Sequence, residues 1–125
     1  WRYHLGAPMP AAPGQTAFHY KPTGLYNAMI APLLNYTVSG VIWYQGESNI
    51  SNYQFYAPMM TAMVQLWRNV WEAPDMPFYY VQIAPYKYEN SSNTGAALLR
   101  EAQMEALKTI PNSGMIPTTD IGDPL

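Results

Sequence analysis

The sequence predicts an α/β fold, a parallel sheet covered by helices, on three observations. Two short apolar runs rich in β-branched and aromatic residues, Val38 to Tyr44 and Phe78 to Ala84, end abruptly in polar or proline-containing strings, the pattern of buried strands. Two longer stretches, 58–72 and 96–110, repeat apolar residues at helical spacing. Along the chain these types alternate as helix, strand, helix, strand, helix, strand, the order of parallel strands joined by right-handed crossovers.

Residues 1–22 carry Pro8, Pro10, Pro13 and Pro22 with Gly6 and Gly14, too much proline for a helix or a central strand, and read as an irregular, aromatic-studded arm or insertion. From residue 23 to 125 the character is that of a folded domain. Leu25, Met29, Ile30, Leu33 and Leu34 recur at helical spacing over about 24–34, with Thr23 as N-cap and Pro32 limiting or kinking the segment. The strand Val38 to Tyr44 follows. In 58–72, Met59, Met60, Met63, Val64, Trp67, Val70 and Trp71 share a face and Pro58 suits the first helical position. Pro74 and Pro77 break that helix before the strand Phe78 to Ala84, which Pro85 ends. After a polar loop at 86–95, Leu99, Ala102, Ala106, Leu107 and Ile110 line a second helix that Asn93 or Thr94 can cap. Pro111-Asn112-Ser113-Gly114 is read as a turn into a short third strand at Met115 to Thr119, with Asp120 and Asp123 beyond its end. Three strands make a thin sheet, so further strands are expected before residue 1, after residue 125, or from another chain.

The 125 residues suit one domain of about 100–150 or a piece of one. A formal charge of −2 without a basic stripe disfavours electrostatic nucleic-acid binding. Charged residues make up 11% and apolar residues 49%, which argues against disorder and for a surface that is largely neutral, aromatic or covered by further protein. No apolar run approaches the roughly 20 residues of a membrane span. The absence of cysteine excludes disulfides and thiolate metal sites. The opening Trp1-Arg2-Tyr3-His4 is neither an initiator methionine nor a signal peptide, and a processed or excised chain is expected.

Ligands in open α/β sheets bind beyond the carboxyl ends of the strands. Those ends carry Gln45-Gly46-Glu47-Ser48-Asn49, Pro85-Tyr86 and Asp120. Gln45 brings an amide donor to a strand end, a candidate for stabilising an oxyanion; Gly46 permits a tight turn and close approach of a substrate; Glu47 is an acceptor able to orient neighbours. The alternative is structural, with Gly46 making a turn and Asn49 or Ser51 capping the next helix. Asp120 and Asp123 are candidates to orient a catalytic histidine, or simply turn residues around Gly122. His4 and His19 read as packing or surface residues, and no metal-ligand spacing or nucleotide-binding glycine loop is present, so no metal and no cofactor are expected. Arg100 is a candidate to reach an anionic group or Glu47, against a default ion pair with Glu101 or Glu105. Sequons at Asn35, Asn49 and Asn90 would matter only in a eukaryotic secretory setting.

The string Gly40-Val41-Ile42-Trp43-Tyr44-Gln45-Gly46-Glu47-Ser48-Asn49 resembles the sialate O-acetylesterases and related carbohydrate esterases of the SGNH-hydrolase superfamily. Leu25 to Pro32, Leu99-Arg100-Glu101-Ala102-Gln103 and Thr119-Asp120-Ile121-Gly122-Asp123-Pro124 resemble the same family in the same order, so the likeness covers about residues 23–125.

The resemblance implies a flavodoxin-like three-layer α/β/α fold, present only in part, and removal of acetyl groups from sugar hydroxyls. It also implies a serine nucleophile, a histidine base, an orienting aspartate and an oxyanion hole. It carries the side-chain oxyanion role onto Gln45, with Gly46, Glu47 and Asn49 shaping the pocket; Asp120 or Asp123 would be the triad acid and Arg100 a substrate contact. The family's nucleophile lies in a Gly-Gln-Ser-Asn type motif that this sequence lacks, and Ser48 belongs to a different motif. The family's histidine follows the Gly-Asp-Pro, where this chain stops at Leu125. The isolated chain is therefore expected to be inactive and to need the remaining segments of its domain or another chain as partner. An acetylated carbohydrate is the expected substrate, and that substrate class favours an extracytoplasmic location. The competing reading is a non-catalytic carbohydrate-binding module stacking sugars on Trp1, Tyr3, Tyr20, Tyr86 and Tyr88.

Overall fold

The computed structural model describes Gly6, Gly14, Ala17, residues 21–86 and residues 94–122. It forms two compact units, Trp1–Asn35 and Tyr36–Leu125.

In the first unit the expected helix forms, but not as a plain α-helix. A π-helical turn, Tyr26–Ile30, passes directly into a 3₁₀ turn, Ala31–Leu33. Pro32 sits at the start of the 3₁₀ turn, where its missing N–H costs no helical hydrogen bond. Thr23 does not act as the expected N-cap: it adopts a φ of 61°, and its hydroxyl donates to the Pro22 carbonyl and accepts from Asn27 Nδ2.

The second unit is a three-stranded parallel sheet among the described residues, in the order β1 (Val41–Trp43), β2 (Phe78–Val81), β3 (Ser113–Ile116). β2 is central: Val41, Ile42 and Trp43 pair with Phe78, Tyr79 and Tyr80, and Phe78 to Val81 pair with Ser113 to Ile116. The crossovers are the helices α1 (Tyr56–Val70) and α2 (Gly95–Thr109).

β3 begins two residues earlier than the sequence suggests. The left-handed turn falls on Asn112, at φ 49°, which leaves Ser113 and Gly114 free to join the ladder. Gly114 lies under the ring of Tyr79, so close that an added Cβ would meet Tyr79 Cδ1 at 2.9 Å. α1 likewise starts at Tyr56, so Pro58 falls third in the helix; its absent N–H is still one of the four that a helix start leaves unpaired.

The core is one face of the sheet packed on both helices. Tyr56, Met60 and Val64 of α1, Phe78 and Tyr80 of β2, and Leu99, Ala106 and Ile110 at α2 are buried together. Trp43 meets Trp67 edge-on at 5.7 Å, and Phe78 fills the space beside both rings. Met59, expected in the buried face of α1, is 59% exposed, because the buried row runs Tyr56, Met60, Val64, Arg68 at four-residue intervals.

The strands were expected to be buried on both faces, and they are not. Ile42, Tyr79 and Ile116, which alternate with the core positions, are 86%, 53% and 62% exposed. Strands laid down in the order 1-2-3 with crossovers of one hand place both helices on one side of the sheet. The second unit thus has the sheet and one helical layer of the three-layer fold.

Arg68 ties the amino-terminal ends of the strands to α1. Buried near the end of the helix, it donates to Met76 O at 2.9 and 3.1 Å, to Pro111 O at 2.7 Å and to Asn112 O at 3.4 Å. These carbonyls lead into β2 and β3, so a single guanidinium sets where both strands start.

Candidate active site at the carboxyl ends of the strands

β1 stops at Trp43, and the chain turns sharply at Gly46 into a 3₁₀ segment, Glu47–Phe55, that leads to α1. Gly46 is buried with a φ of 154°, and an added Cβ would lie 2.9 Å from Ile83 Cγ2 and 3.4 Å from Gln103 Nε2. Only glycine fits there.

The side chain of Gln45 points its amide nitrogen at Asn49: Nε2 donates to Oδ1 at 2.8 Å. Its backbone carbonyl accepts from Tyr56 Oη at 2.7 Å and from Gln103 Nε2 at 3.4 Å. A primary amide has two N–H donors, so the bond to Asn49 sets the orientation of the group and engages one of them. Asn49 therefore orients Gln45, which is neither of the helix-capping roles that spacing alone allowed. Glu47 and Ser48 are exposed on the 3₁₀ segment. The Tyr44 phenol is raised above its ordinary range, first by its hydrogen bond with Glu47, then by burial and by the charge of the same carboxylate.

Gln103 and Tyr56 are the polar groups that sequence reasoning missed. Gln103 is fully buried, with Oε1 accepting from Ile83 N–H at 3.0 Å and its own carbonyl accepting from Tyr80 Oη at 2.7 Å. Burial pushes Tyr80 up to about 12 and raises Tyr56 as well, so both phenols are neutral donors at neutral pH. One signal was available: Gln103 lies four residues after Leu99, in the row an amphipathic helix buries.

The end of β2 is held from two sides. Arg100 donates through Nε to Ile83 O at 3.3 Å and through Nη2 to Ala84 O at 3.1 Å. Neither the ion pair expected with Glu101 or Glu105 nor the reach to Glu47 is formed; Glu105 pairs with Lys108 instead. From the other side Thr118 Oγ1 donates to the Gln82 and Ile83 carbonyls at 3.2 and 3.3 Å. Thr118 also closes the turn that carries Asp120, its carbonyl accepting from Gly122 N–H at 2.9 Å. Asp120 is exposed in that turn. Because the three strands run parallel, the segments that follow them, with Gln45, Pro85 and the Asp120 turn, lie along the carboxyl edge of the sheet.

Asp123, His4, His19 and Asn90 lie outside the described residues, as do Trp1, Tyr3, Tyr20 and Tyr88; Tyr86 is described and exposed. Among the described residues no group of three or more His, Asp or Glu side chains could hold a metal ion.

The second unit is thus a parallel α/β unit with a glycine turn and an oriented amide at its carboxyl edge. The chain belongs to the family described as carbohydrate esterase, sialic acid-specific acetylesterase, whose profile matches residues 7–124. It is 38% identical over 99 residues to the sialate O-acetylesterase of Rattus norvegicus, covering 73% of this chain and 18% of that protein. The Homo sapiens sialate O-acetylesterase is 36% identical over 99 residues, covering 73% of this chain and 19% of the relative. A solved carbohydrate acetylesterase from Xanthomonas citri superposes with a TM-score of 0.73 at 39% identity, covering 80% of this chain and 24% of that one. The chain therefore spans about a fifth to a quarter of the length of these relatives.

Proposed function

We propose that this chain forms the oxyanion side of a carbohydrate O-acetylesterase active site, acting on acetylated sugars of the sialic acid type. The observation that carries the reading is the Gln45 amide, fixed at the end of β1 by Asn49 and set beside a turn that only glycine fits. Membership of an acetylesterase family supplies the reaction class.

In this reading a histidine from the rest of the esterase takes the proton of a serine hydroxyl as that oxygen attacks the acetyl carbonyl carbon, and the carbonyl electron pair moves onto oxygen. The Gln45 N–H donates to that oxyanion as the charge develops. Collapse of the intermediate expels the sugar oxygen, which takes a proton from the histidine, and water then releases the enzyme-bound acetyl group as acetate. Gly46, Glu47 and Asn49 shape the pocket around the amide. Asp120, exposed in the turn that Thr118 closes, is the described candidate to orient the histidine. Arg100 would meet a substrate through Nη1, the nitrogen not used in its bonds to Ile83 and Ala84.

Replacing one oxyanion donor removes about 2.7–4 kcal/mol of transition-state stabilisation, or roughly 10²–10³ in kcat. Gln45→Ala in the whole esterase should therefore lower kcat by that factor and leave KM little changed. Steady-state kinetics on an acetylated sugar would show it, and an unchanged kcat would refute the role.

A further inference from the structure

We propose that Gln103 is a positioning residue for the oxyanion amide, a buried bridge that sets where β1 presents Gln45. The inference rests on the reading of Gln45 given above.

The ladder between β1 and β2 ends at the pair Trp43 and Tyr80. Gln45 and Ile83 lie beyond it, where no strand pairing holds the two chain segments in register. Gln103 spans that gap with one side chain, Oε1 accepting from Ile83 N–H at 3.0 Å and Nε2 donating to Gln45 O at 3.4 Å. Its own backbone is anchored to β2, because Tyr80 Oη donates to the Gln103 carbonyl at 2.7 Å.

A wholly buried amide is costly unless its polar atoms are bonded, and an apolar side chain of equal size would fill this place in the row of Leu99 and Ala106. What the amide adds is the bridge. With Tyr56 Oη donating to the same carbonyl at 2.7 Å, the peptide between Gln45 and Gly46 is held by two donors. Asn49 holds the other end of the Gln45 side chain. The amide is thus fixed at its backbone and at its tip. Loss of the backbone constraint lets the donor drift, and an error of an ångström in a reacting group is enough to slow catalysis.

The test uses the whole esterase and an acetylated sugar, with Gln103→Met as the first variant because it keeps volume and removes both hydrogen bonds. We expect kcat to fall by about 10- to 100-fold with KM within about twofold. In a Gln45→Ala background the same change should cost little more, since the donor it positions is gone. Should Gln103→Met fail to fold, Gln103→Glu keeps the acceptor for Ile83 N–H but donates to Gln45 only when protonated. Its deficit in kcat relative to wild type should then shrink as pH falls. The proposal is overturned if Gln103→Met leaves kcat unchanged, or lowers it equally with and without Gln45, or if the Gln103→Glu deficit does not vary with pH. If Gln45→Ala leaves kcat unchanged, the oxyanion reading fails and the positioning role with it. If Gln45→Ala lowers kcat and Gln103→Met does not, only the positioning role fails.

Discussion

At Gly46 one hydrogen atom decides whether the site exists. The backbone sits at φ 154°, and the space a Cβ would need is taken by Ile83 Cγ2 at 2.9 Å. Methyl and methyl cannot share that distance, so Ile83, one of the most buried residues of the core, would have to yield or the turn would open. Either response moves Gln45, whose carbonyl is bonded under the same turn by Tyr56 and Gln103. Backbone in such a region costs a residue with a Cβ about 1–3 kcal/mol. Gly46→Ala should therefore lower unfolding stability by that amount, read as a shift in the urea midpoint, and should also depress esterase turnover. A variant of wild-type stability would mean that the turn relaxes more freely than its packing indicates.

Among the elements, those with a strong period were legible and those that depend on a distant partner were not. The apolar rows of α1 and α2 and the aromatic run of β2 announced helix, strand and helix in the right order. The start of β3 was misplaced because proline, asparagine, serine and glycine in succession look like a turn, whereas the register is set by Tyr79 packing on Gly114. At the site, the polar string after β1 marked Gln45 and Gly46, but the partners of the Gln45 carbonyl come from α1 and α2, 11 and 58 residues away. The ion pair expected of Arg100 does not form, and its bonds go to backbone carbonyls whose positions only folding determines. Arg68 is a stronger case of the same kind. Its four hydrogen bonds to three carbonyls hold the starts of β2 and β3 on the end of α1, and a charged donor contributes about 1.5–3 kcal/mol per bond. Contributions of single bonds do not add, and the freed carbonyls can bond to water, so Arg68→Met should cost about 2–3 kcal/mol in chemical denaturation. A cost under about 0.5 kcal/mol, the size of an ordinary surface change, would show that the strand starts are held by packing instead.

For the molecule as a whole, the division of labour follows from what the sheet carries and what it lacks. Its carboxyl edge gathers an amide, a glycine turn and a carboxylate, groups that bind and orient. Acyl transfer also needs a nucleophile and a base within hydrogen-bond reach of one another. No Gly-Gln-Ser-Asn motif occurs in the sequence, and Ser48, nearest to Gln45 in the chain, follows Glu47 on the exposed 3₁₀ segment. Ile42, Tyr79 and Ile116 are exposed on one face of the sheet, and the chain spans 24% of the Xanthomonas acetylesterase. These features lead us to expect that the 125-residue chain by itself does not accelerate the hydrolysis of p-nitrophenyl acetate, an ester activated enough to report even a weak nucleophile. The measurement is the rate above buffer, made with wild type and with Ser48→Ala. Turnover by the wild type that vanishes in the variant would place the nucleophile inside this chain and assign it to Ser48. Equal rates at the buffer level would bear out the expectation that the chain by itself lacks a working nucleophile.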